Sequence, residues 1–265
     1  MAIITRQEAI AELARRGAQR DLLAYTLYTW EHPTPYIVGR HTRAICGRLT
    51  RAIIDWRHGK STFLLITVPF RHGKSELCSV SLPTFFLGNC QDLQPSVILS
   101  GYGATLVRQF SENSARKVAS ERYQALFPGL VAEGRMDDWH IKGSIGRVTA
   151  VGLGGGLTGK GGDLLVLDDY CKNRAEAVSK TYRDFTWDSF RNDFFTRRHD
   201  PSIVVVTATP WHIDDLRGRI LKEMEQDEHF PRFEELNFPA RKPGEWEYLF
   251  PERFSADWYN SQRSI

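Results

Sequence analysis

Three groups of residues in this 265-residue chain have the types and spacing of reactive machinery. The first is Val68-Pro69-Phe70-Arg71-His72-Gly73-Lys74-Ser75, with Glu76 next, set between an apolar strand pattern and an apolar helix pattern. A glycine, a lysine and a hydroxyl in succession at that junction form a cradle for a triphosphate. Backbone amides wrap the anion, Lys74 reaches the outer phosphates, Ser75 binds Mg²⁺, and the helix N-terminus favours negative charge. Val68 stands where the usual spacing template has glycine, and Pro69 lacks an amide, so Pro69 is expected outside the cradle. Arg71 is either a second cation beside the phosphates or an exposed loop charge.

The second group is a carboxylate pair. Leu164 to Leu167 lead into Asp168 and Asp169, the form of a strand that delivers one carboxylate to Mg²⁺ and the next to the attacking water. Asp168 takes the metal role and Asp169 the base role; many ATPases carry the longer Glu at the second position. Taken alone, the pair fits a helix cap at a strand end equally well. The preceding run, GLGGGLTGKGG, is expected as a mobile loop outside the core, with Lys160 facing a phosphate or a neighbouring subunit. The third group is Thr207-Ala208-Thr209-Pro210-Trp211-His212, where hydroxyls at a strand end, Thr209 above all, can sense the terminal phosphate. Without the other two groups it is a β-prone run closed by proline.

These residues need a scaffold that brings three strand ends together. Short apolar runs recur at 63–68, 96–100, 147–152, 164–168, 203–209 and 233–238. Most are apolar on both faces and alternate with helical stretches, which predicts a mainly parallel sheet covered by helices on both faces. Ahead of it, 6–29 and 41–57 show helical spacing, with Ile45, Leu49, Ile53 and Trp56 on one face. The expected organisation is a helical N-terminal lead-in over 1–60, a P-loop ATPase core over 61–250, and a tail or linker over 251–265.

Composition narrows the class. A net charge of +3 neither demands nor excludes a polyanionic partner. Arginines cluster at 40, 43, 48, 51 and 57 and again at 191, 197 and 198, where solvated faces explain them as well as a nucleic acid does. The four cysteines form no close pair, so neither a zinc cluster nor a disulfide framework is expected. No apolar run approaches the roughly 20 residues that span a bilayer, and a soluble intracellular protein is the expectation.

Three segments, PFRHGKSE, TGKGGDLLVLDD and TATPWHIDDLRGRI, followed later by LFPERFS, resemble the ATPase domain of a tailed-phage large terminase over roughly residues 36–258. The resemblance implies an additional-strand (ASCE) P-loop NTPase core that hydrolyses ATP with Mg²⁺. It also implies a homo-oligomeric ring in the host cytoplasm, transiently at the portal vertex of the procapsid, with the portal protein, the small terminase subunit and double-stranded DNA as partners. Arg71, His72, Gly73, Lys74, Ser75 and Glu76 would contact the nucleotide, with Ser75 and Asp168 at the metal and Asp169, Lys74 and Arg71 catalytic. By position, Tyr36, Arg40 and His41 are the candidates for adenine recognition. A basic residue from a neighbouring subunit would complete the site; Lys160, Arg108 and Arg116 are the rivals. Full terminases also carry an RNase H-like nuclease, absent here, so the tail over 251–265 would lead toward it and either an isolated motor domain or a separately encoded one is expected.

Two other readings fit the same motifs. One is a helicase-like ATPase, which would need a second similar domain. The other is a nucleotide-gated module that binds DNA or a partner without turnover, which Asp in place of Glu at 169 makes conceivable.

Overall fold

The computed structural model describes residues 5–263 apart from 243, 245 and 246. Helices α1 (Arg6–Ala18) and α2 (Leu22–Tyr28) form the start of the lead-in, followed by α3 (Arg40–Arg57). The spacing over 6–29 reads as one helix, but Asp21 interrupts it by capping α2, its side chain accepting from the Ala24 amide at 2.8 Å. Along α3 the expected stripe of Ile45, Leu49, Ile53 and Trp56 is buried.

Eight strands build one sheet: β1 (Thr62–Thr67), β2 (Val97–Gly101), β3 (Ala132–Arg135), β4 (Asp138–Ile141), β5 (Arg147–Gly152), β6 (Gly162–Asp168), β7 (Arg198–Ala208) and β8 (Glu234–Asn237). Their order is β3-β4-β5-β2-β6-β7-β1-β8, parallel from β5 to β8 and antiparallel only at β3 and β4. The six expected runs are the six parallel strands. The β3–β4 hairpin is additional; its strands are short and half-polar, with Trp139 and Ile141 alternately buried, so no continuous apolar run marks them.

Alternation along each parallel strand sends side chains into two cores. Leu64, Ile66, Leu164, Val166, Ile203 and Val205 join α2, α3 and the helix after the phosphate loop on one face. Leu65, Leu165, Leu167, Val204 and Val206 meet Phe190, Phe194, Phe195, Leu216 and Phe233 on the other. Burial on both faces is why these strands lack polar alternation. Leu157, in the glycine-rich segment expected outside the core, is 4% exposed and packs into the second cluster beside Ile98 and Leu165, so that segment is anchored at its middle.

β7 separates β1 from β6, the additional-strand arrangement, and registers pair Thr67 with Ala208 and Asp168 with Thr207. All three reactive segments therefore leave the sheet at one edge, at the carboxyl ends of adjacent strands, where ligands of open α/β sheets bind. Among the described residues no helix is long and apolar enough to cross a membrane. All four cysteines are buried and free.

Candidate nucleotide site at the strand tips

The loop after β1 turns tightly because two of its residues adopt left-handed backbone: Arg71 at φ 62° and Gly73 at φ 83°. Gly73 accepts this without strain, whereas a non-glycine residue there costs about 1–2 kcal/mol. Asp169, at φ 49°, carries the same strain on the opposite side. Two of the three residues expected to be catalytic thus sit in unfavourable backbone, which a fold retains where geometry matters.

The chain resumes as a helix whose stretch Glu76–Ser81 has π winding before continuing as α4 (Leu82–Asn89). Such winding is frequent at functional sites. Here the Ser79 hydroxyl donates to Asp168 Oδ2 at 2.9 Å. From β7 the Thr207 hydroxyl donates to the other oxygen, Oδ1. Asp168 is 1% exposed, and its charge is held in place by these two donors.

Lys74 and Asp169 meet across the tips of β1 and β6, with Nζ 2.6 Å from Oδ2. Burial pushes the Lys74 ammonium down, but the charges of Asp168 and Asp169 outweigh it and hold the group above its ordinary range. Burial, aided by the charge of Asp168, pushes the Asp169 carboxyl up, and Lys74 pulls against both. A carboxyl raised in this way is a stronger proton acceptor than an ordinary carboxylate. Thr209 donates to the Val68 carbonyl at 3.3 Å, fastening β7 to the start of the loop. Ser75 makes no hydrogen bond through its hydroxyl among the described residues.

Beside the loop lies a cleft of about 400 Å³ lined by Trp30, Tyr36, His72, Gly73, Glu76 and Arg253, among others. Tyr36, a candidate for adenine recognition, lines this cleft with its hydroxyl near Gly73. Arg40 opens α3 and does not line this cleft, and its neighbour His41 is buried against the loop, its Nε2 donating to the His72 carbonyl at 3.0 Å. Glu76 lines the cleft while paired with Lys117 at 2.8 Å. Residues 251–263, read from sequence as a tail or linker, fold back instead: α10 (Ala256–Arg263) brings Tyr259 to 2.7 Å from His72, and Arg253 reaches the cleft.

Of the rival basic residues, Lys160 pairs with Asp138 at 3.4 Å and precedes β6, whereas Asp168 ends it. Six residues of strand separate Gly162 from Asp168, about 20 Å at 3.3 Å per residue, so Lys160 cannot serve the phosphates of its own chain. Arg108 is exposed early on α5 (Ala104–Ala119), and Arg116, on the same helix, pairs with Glu112 at 2.8 Å. The arginine clusters are largely engaged locally: Arg48 with Glu234, Arg51 with Asp55, Arg57 with Asp92 and Arg191 with Glu223. In the third segment Asp215 is a helix cap for α9 (Leu216–Gln226), and Asp214 is paired with Arg183 and Arg219.

No protein-family model matches the sequence, and no curated protein matches it significantly. Among solved structures, the crystal structure of the HK97 bacteriophage large terminase superposes with a TM-score of 0.59 over 93% of this chain, at 14% identity. The chain shares its fold with the matched part of that protein. It spans about half the length of that protein, 51% of its chain. The strand order, the strand carrying Asp168 and the loop carrying Lys74 thus belong to a shared fold, while at this identity the side chains must be argued from their own geometry.

Proposed function

We propose that this chain is the ATPase motor domain of a phage large terminase, hydrolysing ATP to drive double-stranded DNA into a procapsid. The observation that carries the reading is the meeting of Lys74 with the Asp168–Asp169 pair across strand tips separated by β7. A cation, two carboxylates and an anion-cradling loop have converged at one sheet edge, as phosphoryl transfer requires.

The donor set fits Mg²⁺, which takes oxygen ligands and retains water: the Ser75 hydroxyl is uncommitted and each Asp168 oxygen keeps a lone pair beyond its hydroxyl donor. When bound, Mg–ATP supplies the phosphoanhydride to be cleaved and a metal charge that offsets negative charge on the phosphates. The chain does the rest. Lys74 exchanges Asp169 for the outer phosphates. Asp169, so released, would take a proton from the attacking water, and Asp168, gripped by Ser79 and Thr207, would hold Mg²⁺. Arg71 adds positive charge at the loop, and Trp30 and Tyr36 offer aromatic faces for the base. Thr207 and Thr209 tie β7 to both the metal carboxylate and the loop, so a change at the phosphates is felt by the segment that follows. In this reading the chain works as a ring at the portal vertex in the host cytoplasm, with the portal protein and small terminase subunit as partners.

The test is turnover of Mg–ATP by the purified chain, with and without double-stranded DNA. Hydrolysis abolished by Lys74→Ala, in a variant that keeps its melting temperature, is the expected result. DNA binding should be weak and fall steeply with salt, as counterion release demands. No turnover in any condition, or a salt-insensitive and sequence-specific affinity, would remove the motor reading.

A further inference from the structure

His72, 1% exposed at the centre of the phosphate loop, uses both ring nitrogens. Nδ1 lies 2.8 Å from the Phe70 carbonyl, which can only accept, so Nδ1 carries the proton. Burial depresses the imidazole to about pKa 4, so the ring is neutral and Nε2 is bare. The Tyr259 hydroxyl, 2.7 Å away, must then donate to Nε2, and its oxygen accepts the Phe250 amide at 3.1 Å. The His72 carbonyl in turn accepts from His41 Nε2 at 3.0 Å.

These bonds hold two carbonyls of the loop, those of Phe70 and His72. In a planar trans peptide the carbonyl and the next amide point in opposite directions. Fixing the two carbonyls therefore turns the Arg71 and Gly73 amides the other way, and both residues have the left-handed backbone that lets successive amides converge on an anion.

We propose that Tyr259 on α10 is a positioning residue for phosphate binding: through His72 it aims the loop amides, so the C-terminal segment of this chain sets nucleotide affinity without touching the nucleotide. The inference rests on reading the loop as a triphosphate site. Tyr259→Phe keeps the ring that stacks on Tyr248 at 4.3 Å and removes the hydroxyl, the donor to His72 and the acceptor of the Phe250 amide. Calorimetric titration of the full chain with Mg–ADP should show a Kd raised about five- to ten-fold, the effect of losing the bond that holds His72. Combining it with His72→Phe should add nothing to His72→Phe alone, a coupling that loss of tail packing would not produce. Tyr248→Phe, which removes a hydroxyl from the same stack, should bind as the unaltered chain does.

Equal Mg–ADP affinity in Tyr259→Phe and the unaltered chain would overturn the inference and leave the proposed function standing; no Mg–ADP binding by the unaltered chain would overturn both. Nitrogen-15 histidine spectra of the unaltered chain decide the matter even where Tyr259→Phe fails to fold. The Nδ1–H tautomer of His72 supports the relay, and an Nε2–H tautomer overturns it.

Discussion

Lys74 and Asp169, 95 residues apart in sequence, form a partly buried ion pair at 2.6 Å, in which the cation proposed to bind phosphate is satisfied by the carboxylate proposed to activate water. Under the proposed function, nucleotide competes with Asp169 for the lysine. Asp169→Asn removes that competitor and the base together, so Mg–ATP should bind more tightly, by about tenfold or less given the partial exposure of the pair, while turnover disappears. Paired binding isotherms and single-turnover assays check this. Normal hydrolysis by Asp169→Asn would move the base elsewhere.

The two hydroxyls on Asp168 give a second expectation. Thr207→Val deletes a donor to a buried carboxylate and should cost about 1.5–3 kcal/mol of stability, with hydrolysis reduced as well. Thr207→Ser restores the donor and should recover most of both. Denaturant melts and rates measured on the same preparations test the pair; a Val variant as stable as the original would mean that the bond to Asp168 contributes little.

Much of this arrangement is legible in the sequence, for a reason seen in β1, β6 and β7. Their residues are apolar on both faces because both faces are covered; β6 and β7 close on Asp168 and Thr207, and β1 leads into the loop that carries Lys74. What escapes is what no local pattern encodes. Ser79 meets Asp168 from a stretch of π winding, and nothing in ELCSVS marks that winding. Tyr259 and Arg253 belong to a segment with no helical or strand period, whose packing surface is the buried His72 almost 190 positions earlier. Leu157 is one of two leucines among glycines, and its burial depends on a cluster that includes Ile98 on β2.

The histidines set the acid sensitivity of the fold. His72 is depressed from 6.5 to about 4 by burial, with His41 and Arg253 adding to the effect; His41 is lowered in the same direction by its own burial. At these two histidines the folded chain therefore binds fewer protons than the unfolded chain, so the stability that they contribute is fully present above pH 6.5 and is lost as pH falls toward 4. Denaturant midpoints measured across this range should decline with acid, and His72→Phe should flatten the slope by about one proton. An unchanged slope in that variant would place the titration on other groups.

The position of Lys160 leads to an expectation about assembly. It lies at the opposite end of β6 from Asp168 and is held by Asp138, so it can reach phosphates only across a subunit boundary; Arg108 and Arg116 on α5 are the other candidates for that role. If one of the three completes a neighbour's site, activity per chain should rise with protein concentration rather than stay constant. The sharper test mixes two inactive proteins. Lys74→Ala lacks a working pocket but keeps its basic finger, and the variant lacking the finger keeps its pocket. Mixed in equal amounts they should recover hydrolysis, because some interfaces then pair an intact pocket with an intact finger. A finger in trans supplies roughly 10³ to 10⁵ in rate, so even a minority of such interfaces stands far above either parent. Mixtures as inactive as their components, for Lys160, Arg108 and Arg116 alike, would show that each chain completes its own site.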